Sequence, residues 1–143
     1  MIRVVADTNI FLSGIFWKGN FSSQIIELWR NRRIDLISSI PIIEELTKNL
    51  KSFKIKMDED SVQEWKNMIL ENSLLVEPEE EINIVKDDVS DDKFVEAAVT
   101  GKADYIITQD NHLLKIKEFR GIKILTPKEF LDIIKKKEEL SYI

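Results

Sequence analysis

The chain has 143 residues, no cysteine, a single histidine and a formal net charge of −5. That length suits one domain with a real core, and the missing cysteines exclude disulfides and thiolate metal sites. One histidine cannot build a His-rich zinc site, so any metal must be held by oxygen, which favours magnesium or manganese. Hydrophobic residues at 43% and charged residues at 33% describe a globular chain, not a disordered one. The acidic balance counts against a protein that clings to nucleic acid by an overall basic field.

In chain order, residues 2–6 are mostly apolar and β-branched and predict a short buried strand that runs directly into Asp7. Residues 10–17 predict a short helix or turn, ended by Lys18, Gly19 and Asn20. Ser22 or Ser23 can start a helix through Trp29, and residues 34–38 predict a second strand. Ser39, Ile40 and Pro41 open the next helix, with proline suited to a first turn. Residues 58–72 predict an amphipathic helix, 74–76 a short strand, and 77–89 a polar loop. Ser90 is expected to cap a helix running to about Lys102; residues 105–108 and 122–125 predict two further strands. Thr126, Pro127 and Glu129 form a capping box for a last helix, whose tail at residues 141–143 is expected to fray.

Strands alternating with helices imply crossover connections. The expected fold is one α/β domain over residues 1–143, with a central, mostly parallel sheet of about four or five strands and helices on both faces. No apolar run reaches bilayer length, and the chain starts on a strand, so a cytoplasmic protein with no membrane contact is expected. Three charge runs stand out: Arg30, Arg32 and Arg33; Lys48, Lys51, Lys54 and Lys56; and the acidic Glu77, Glu79, Glu80 and Glu81. Each reads as solvated surface, although the basic ones could guide RNA.

Four acidic positions recur at strand ends and helix edges. Asp7 ends the first strand, where open α/β sheets place ligands, and it equally suits a helix N-cap. In the helix carrying Ile42, Ile43, Leu46 and Leu50, a rotation of about 100° per residue brings Glu45 nearer the apolar face than Glu44. The same rotation puts Asp91 near the middle of the apolar face of Phe94, Val95, Ala97 and Ala98, and Asp92 well off it; both also suit the positive end of a helix dipole. Asp110 follows another strand, with Thr108 able to hold it or a water, and also reads as a turn former beside Asn111. Asp87 and Asp88 read as loop charges and His112 as a surface or turn histidine. Carboxylates gathered at one point repel each other, and a divalent cation is the usual remedy.

The segments VVADTNIFLSG (4–14), SSIPIIEEL (38–46), SDDKFVEAAVTGKADYIITQDNHLL (90–114) and ILTPKEFL (124–131) together resemble the PIN-domain nucleases, in particular the prokaryotic stand-alone proteins described as toxins of toxin–antitoxin pairs. The resemblance implies a PIN-like three-layer sandwich and metal-dependent endoribonuclease activity. By motif, its four acids fall on Asp7, Glu45, Asp91 and Asp110, and its supporting polar residues on Thr8, Asn9 and Thr108. The doubled acids leave Glu44 for Glu45 and Asp92 for Asp91 open. One or two Mg2+ or Mn2+ ions would bind Asp7, Asp91 and Asp110, with Glu45 completing or orienting the shell, and a water activated there would attack the phosphorus. The implied partners are single-stranded or loop RNA and a small antitoxin protein, with a homodimer also open. Two rivals remain: an aspartate-nucleophile phosphatase, disfavoured because Asn9 stands where its second acid belongs, and a non-catalytic interaction module in which the acids only cap helices.

Overall fold

The structure is a computed structural model that describes residues 1–52 and 56–140. Lys54 of the basic run and the tail expected to fray, residues 141–143, lie outside the described residues. Strand β1 (Arg3–Ala6) leads into helices α1 (Thr8–Phe16) and α2 (Phe21–Arg30), then β2 (Asp35–Ser38), α3 (Ile40–Ser52), α4 (Glu59–Asn72) and β3 (Leu74–Leu75). A 3-10 turn over Val89–Asp91 opens α5 (Asp92–Thr100). It is followed by β4 (Tyr105–Ile107), α6 (Asn111–Leu114), β5 (Glu118–Phe119), β6 (Ile122–Leu125) and α7 (Pro127–Leu140).

Among the described residues the sheet has six strands in the order β3-β2-β1-β4-β6-β5. All neighbours are parallel except β5 and β6. The sixth strand is the two-residue β5, too short to announce itself by alternation. It pairs with β6 through a tight hairpin in which Arg120 and Gly121 both take positive φ, 49° and 83°. Such a turn matches the strands' twist and tolerates glycine best at its second corner.

The strands are buried on both faces, so alternate residues feed two cores. Val4, Ala6, Leu36 and Ile107 pack with α1, α2, α3, α4 and Phe130 of α7. Val5, Ile37 and Ile106 pack with α5, with Leu113 of α6, and with Ile82 and Val85 of the long loop. This is the helix–sheet–helix layering expected of a chain in which strands alternate with helices.

Several helix starts differ from the sequence expectation. Asn20, not Ser22 or Ser23, caps α2, its Oδ1 accepting from Ser23 N at 2.7 Å. Ser90 does not cap α5. Asp88 caps the preceding 3-10 turn instead, with its Oδ1 accepting from Ser90 N at 3.1 Å, and α5 ends at Thr100 rather than Lys102. The capping box of α7 is present: Thr126 N donates to Glu129 Oε1 at 3.1 Å, and Glu129 N to Thr126 Oγ1 at 3.2 Å.

Candidate metal centre

The strand order reverses between β1 and β4, and the crevice beyond the strand ends at such a switch is where open α/β sheets bind ligands. Asp7 follows β1 directly, and its N–H donates to the Ile107 carbonyl of β4 at 3.1 Å. Asp110 lies just past β4 as the N-cap of α6. Two of the four acids therefore flank the crevice because the two central strands end there.

Thr108 ties this pair together. Its hydroxyl donates to Asp7 Oδ2 and accepts from the Asp110 N–H at 2.9 Å. Asp7 Oδ1 caps α1 through Ile10 N at 3.2 Å. Burial raises the Asp7 carboxyl to about 6, although hydrogen bonds from Thr108, Ile10 and Asn9 pull it down; the Asp110 charge adds to the rise. Asn9 is exposed and contributes through its backbone.

Asp91 joins the pair from the other side. It is only 8% exposed, caps no helix with its side chain, and its Oδ2 has no hydrogen-bond partner. Burial first, then the hydrogen bond with Asp110 and the charges of Asp88, Asp110 and Asp7, push this carboxyl up to about 8. Asp110 is held below the usual range: partial burial opposes its charge, but the hydrogen bond from Asp91 and the His112 amide outweigh it. Asp91 and Asp110 thus share one proton between them in the absence of a cation.

Glu45 stands beside this group, its side chain 29% exposed, while Glu44 points outward. Both Glu45 oxygens are engaged: Thr8 Oγ1 donates to Oε2, and Lys93 Nζ donates to Oε1 at 2.8 Å. Lys93 carries no acid-cluster signal in sequence; only the packing of α3 against α5 brings it to Glu45.

Asp92 departs from its expected place. It is 6% exposed, not turned to solvent, and its Oδ1 accepts from Ile84 N at 3.0 Å and Val85 N at 2.9 Å. Two things defeat the angular count. The 3-10 turn breaks the 100° phase before α5, and the long loop covers the flank that the count assigns to water. Asp92 therefore fastens the loop and is not a supporting group of the crevice. Asp88, expected to be a loop charge, instead offers an oxygen that lies with atoms of Asp110 and His112 within 4.8 Å of one another. His112 itself is exposed, its Nδ1 3.5 Å from Asp110 Oδ1. Arg30, Arg32 and Arg33 precede β2, at the sheet edge opposite the crevice, and Arg30 and Arg33 pair with Glu27 and Glu138.

The donor set fits a hard divalent cation. It consists of carboxylate oxygens, one of them buried and unpartnered, at a place where burial and mutual repulsion disfavour the charged forms.

Comparisons with known proteins point the same way as the layering. A family model described as PIN domain matches residues 3–112. An uncharacterized protein of Methanocaldococcus jannaschii is 28% identical over 146 residues, covering 94% of this chain and 93% of its own. PAE2754 from Pyrobaculum aerophilum superposes with a TM-score of 0.59 at 12% identity, covering 94% of this chain and 90% of that one. VapBC2 from Rickettsia felis, solved bound to a DNA fragment from its promoter, superposes with a TM-score of 0.58 at 14% identity, covering 87% and 98%. At such identities the two structures speak to fold alone.

Proposed function

The chain belongs to the PIN-domain family, and from that premise we infer that it is a metal-dependent endoribonuclease, the toxin of a toxin–antitoxin pair. The observation that carries this reading is the Asp91 carboxylate, buried, without a partner on Oδ2, and facing Asp7, Asp88 and Asp110. A helix-capping role explains Asp7 and Asp110 in part, but not Asp91. Burying an unpaired carboxylate is costly, and a cation removes the cost.

Asp7, Asp91 and Asp110 are the residues that would hold Mg2+ or Mn2+. When bound, the cation supplies Lewis acidity for hydrolysis of a phosphodiester. The chain's own contribution is orientation. Thr108 fixes Asp7 and Asp110 relative to each other through one hydroxyl, and the α1 N-terminus anchors the Asp7 carboxyl. Thr8 holds Glu45 at the margin. Single-stranded RNA is the preferred substrate because its backbone is accessible to an open crevice. An antitoxin, if it covers the centre, would present an Arg or Lys to the carboxylates.

The test is direct. Purified protein should cut an unstructured RNA in Mg2+ or Mn2+ and stop in EDTA. Asp7→Asn, Asp91→Asn and Asp110→Asn should each lose most of the activity while keeping the fold by circular dichroism. Cleavage that persists in EDTA, or in all three variants, would overturn the reading.

A further inference from the structure

The pair formed by Lys93 and Glu45 is the least exposed ion pair among the described residues, with side chains 15% and 29% exposed. Its surroundings are unusual for a surface lysine. The ammonium donates to Glu45 Oε1 at 2.8 Å and to the Ser90 carbonyl at 2.5 Å. An ammonium has three N–H groups, so one remains without a protein acceptor in these contacts. Lys93 comes from the same turn of chain that supplies Asp91, and Ser90 lies just before that acid. A cation is thereby fixed at the rim of an acidic crevice that would otherwise repel a polyanion.

Glu45 is equally committed. Thr8 takes one oxygen and Lys93 the other, so direct ligation of a cation by Glu45 would have to break one of these bonds. Truncating one partner of a partly buried pair leaves the other charge exposed to desolvation without compensation, which favours keeping the pair intact.

We propose that Lys93 is a phosphate-binding residue of the crevice and that Glu45 acts by positioning Lys93 rather than by ligating the cation. This rests on the endoribonuclease reading above and adds to it the group that receives the substrate. Lys93 offers its third N–H to a phosphate oxygen of the RNA, a charge-assisted contact. Glu45 and the Ser90 carbonyl restrict the ammonium to one position, so little rotamer entropy is lost when RNA binds.

Two measurements on the full chain test it: steady-state cleavage of a single-stranded oligoribonucleotide, and Mn2+ affinity from the free-ion signal in electron paramagnetic resonance. Lys93→Met should raise KM by about ten-fold or more with kcat changed far less. Lys93→Arg should recover most of the loss. Glu45→Gln should also raise KM while leaving Mn2+ affinity within a factor of about two, the level of the wild type's own scatter in such a series. The double variant Lys93→Met, Glu45→Gln leaves no unpaired charge, so it keeps the test open if Lys93→Met alone folds poorly; its KM should match the single variant's. An unchanged KM in the double variant, or Mn2+ affinity lost in Glu45→Gln, overturns the assignment. A wild type that binds Mn2+ and cuts RNA alongside such results leaves the endoribonuclease reading standing and removes only the role of Lys93. A wild type that neither binds Mn2+ nor cuts RNA removes both.

Discussion

Asp91 shows how one carboxylate can carry two opposed demands. Its burial against Asp7, Asp88 and Asp110 raises it to about 8, and burial raises Asp7 to about 6, both above the ordinary carboxylate value of 3.8. A group raised on folding binds its proton more tightly in the native state, so stability falls as pH climbs from the unfolded value to the folded one. The metal-free protein should therefore lose melting temperature between about pH 4 and 8, with the Asp7 share lost by about pH 6. Asp110 is lowered and works in the opposite sense, but its contribution is lost only below pH 3.8, outside that window. Asp91→Asn should flatten the fall above pH 6 and raise the melting temperature at pH 8. Differential scanning calorimetry in EDTA across the range checks this, and a melting temperature that rises with pH over the window contradicts it. The four acids were legible in the sequence because strand ends and turn signals are local. Lys93 and Asp88 were not, because their significance comes from contacts made across the fold.

At the scale of elements, α5 holds down the long loop with residues four apart, and so on one helix face. Asp92 accepts from the amides of Ile84 and Val85, Glu96 Oε2 from Ile82 N at 2.9 Å, and Thr100 Oγ1 from Glu79 N at 3.2 Å. These side chains replace a strand partner for a segment that has no regular structure yet buries Ile82 and Val85. Asp92→Ala leaves two amides without their acceptor and should lower stability by about 1–3 kcal/mol. Asp92→Asn keeps an oxygen at the same place and should be milder. Hydrogen exchange at Ile84 and Val85 should rise sharply in Asp92→Ala and only modestly in Asp92→Asn; equal protection in both would show that the loop is held by its apolar contacts alone. Nothing in a polar, acidic stretch announces this arrangement, so the loop was legible only as a loop. The main strands and the long helices were legible because their periodicity spans several residues. β5 and α6, at two and four residues, fall below the length at which periodicity carries a signal. One packing contact was equally hidden: a Cβ on Gly101, which ends α5, would stand 2.7 Å from Ile37 Cγ2 of β2. Gly101→Ala should lower stability by about 1–3 kcal/mol in urea unfolding, since the helix cannot draw back without opening the core beneath it.

At the scale of the whole molecule, the parallel sheet gathers negative charge at one edge of a protein whose net charge is already −5. Strands β1 and β4 end side by side, so Asp7 and Asp110 meet, and α5 adds Asp91 from the same end. The basic residues Arg30, Arg32 and Arg33 sit at the opposite edge and cannot offset this charge at short range. The fold is thus less stable than it would be with the crevice neutralised, and a divalent cation should act as a structural ligand as well as a chemical one. A ligand that binds only the native state at a hundred times its Kd adds about 2.7 kcal/mol. For a domain of this size that corresponds to a rise in melting temperature of roughly 10 °C. Wild type titrated with Mn2+ at pH 7.5 should show a rise of that order that saturates, whereas Asp7→Asn and Asp91→Asn should each show a much smaller one. Both variants should start from a higher melting temperature in EDTA, because each removes one charge from the repulsive group. If Mn2+ leaves the wild-type melting temperature unchanged at concentrations that support cleavage, the cation meets the protein only with the RNA, and the crevice is not a binding site in the free enzyme.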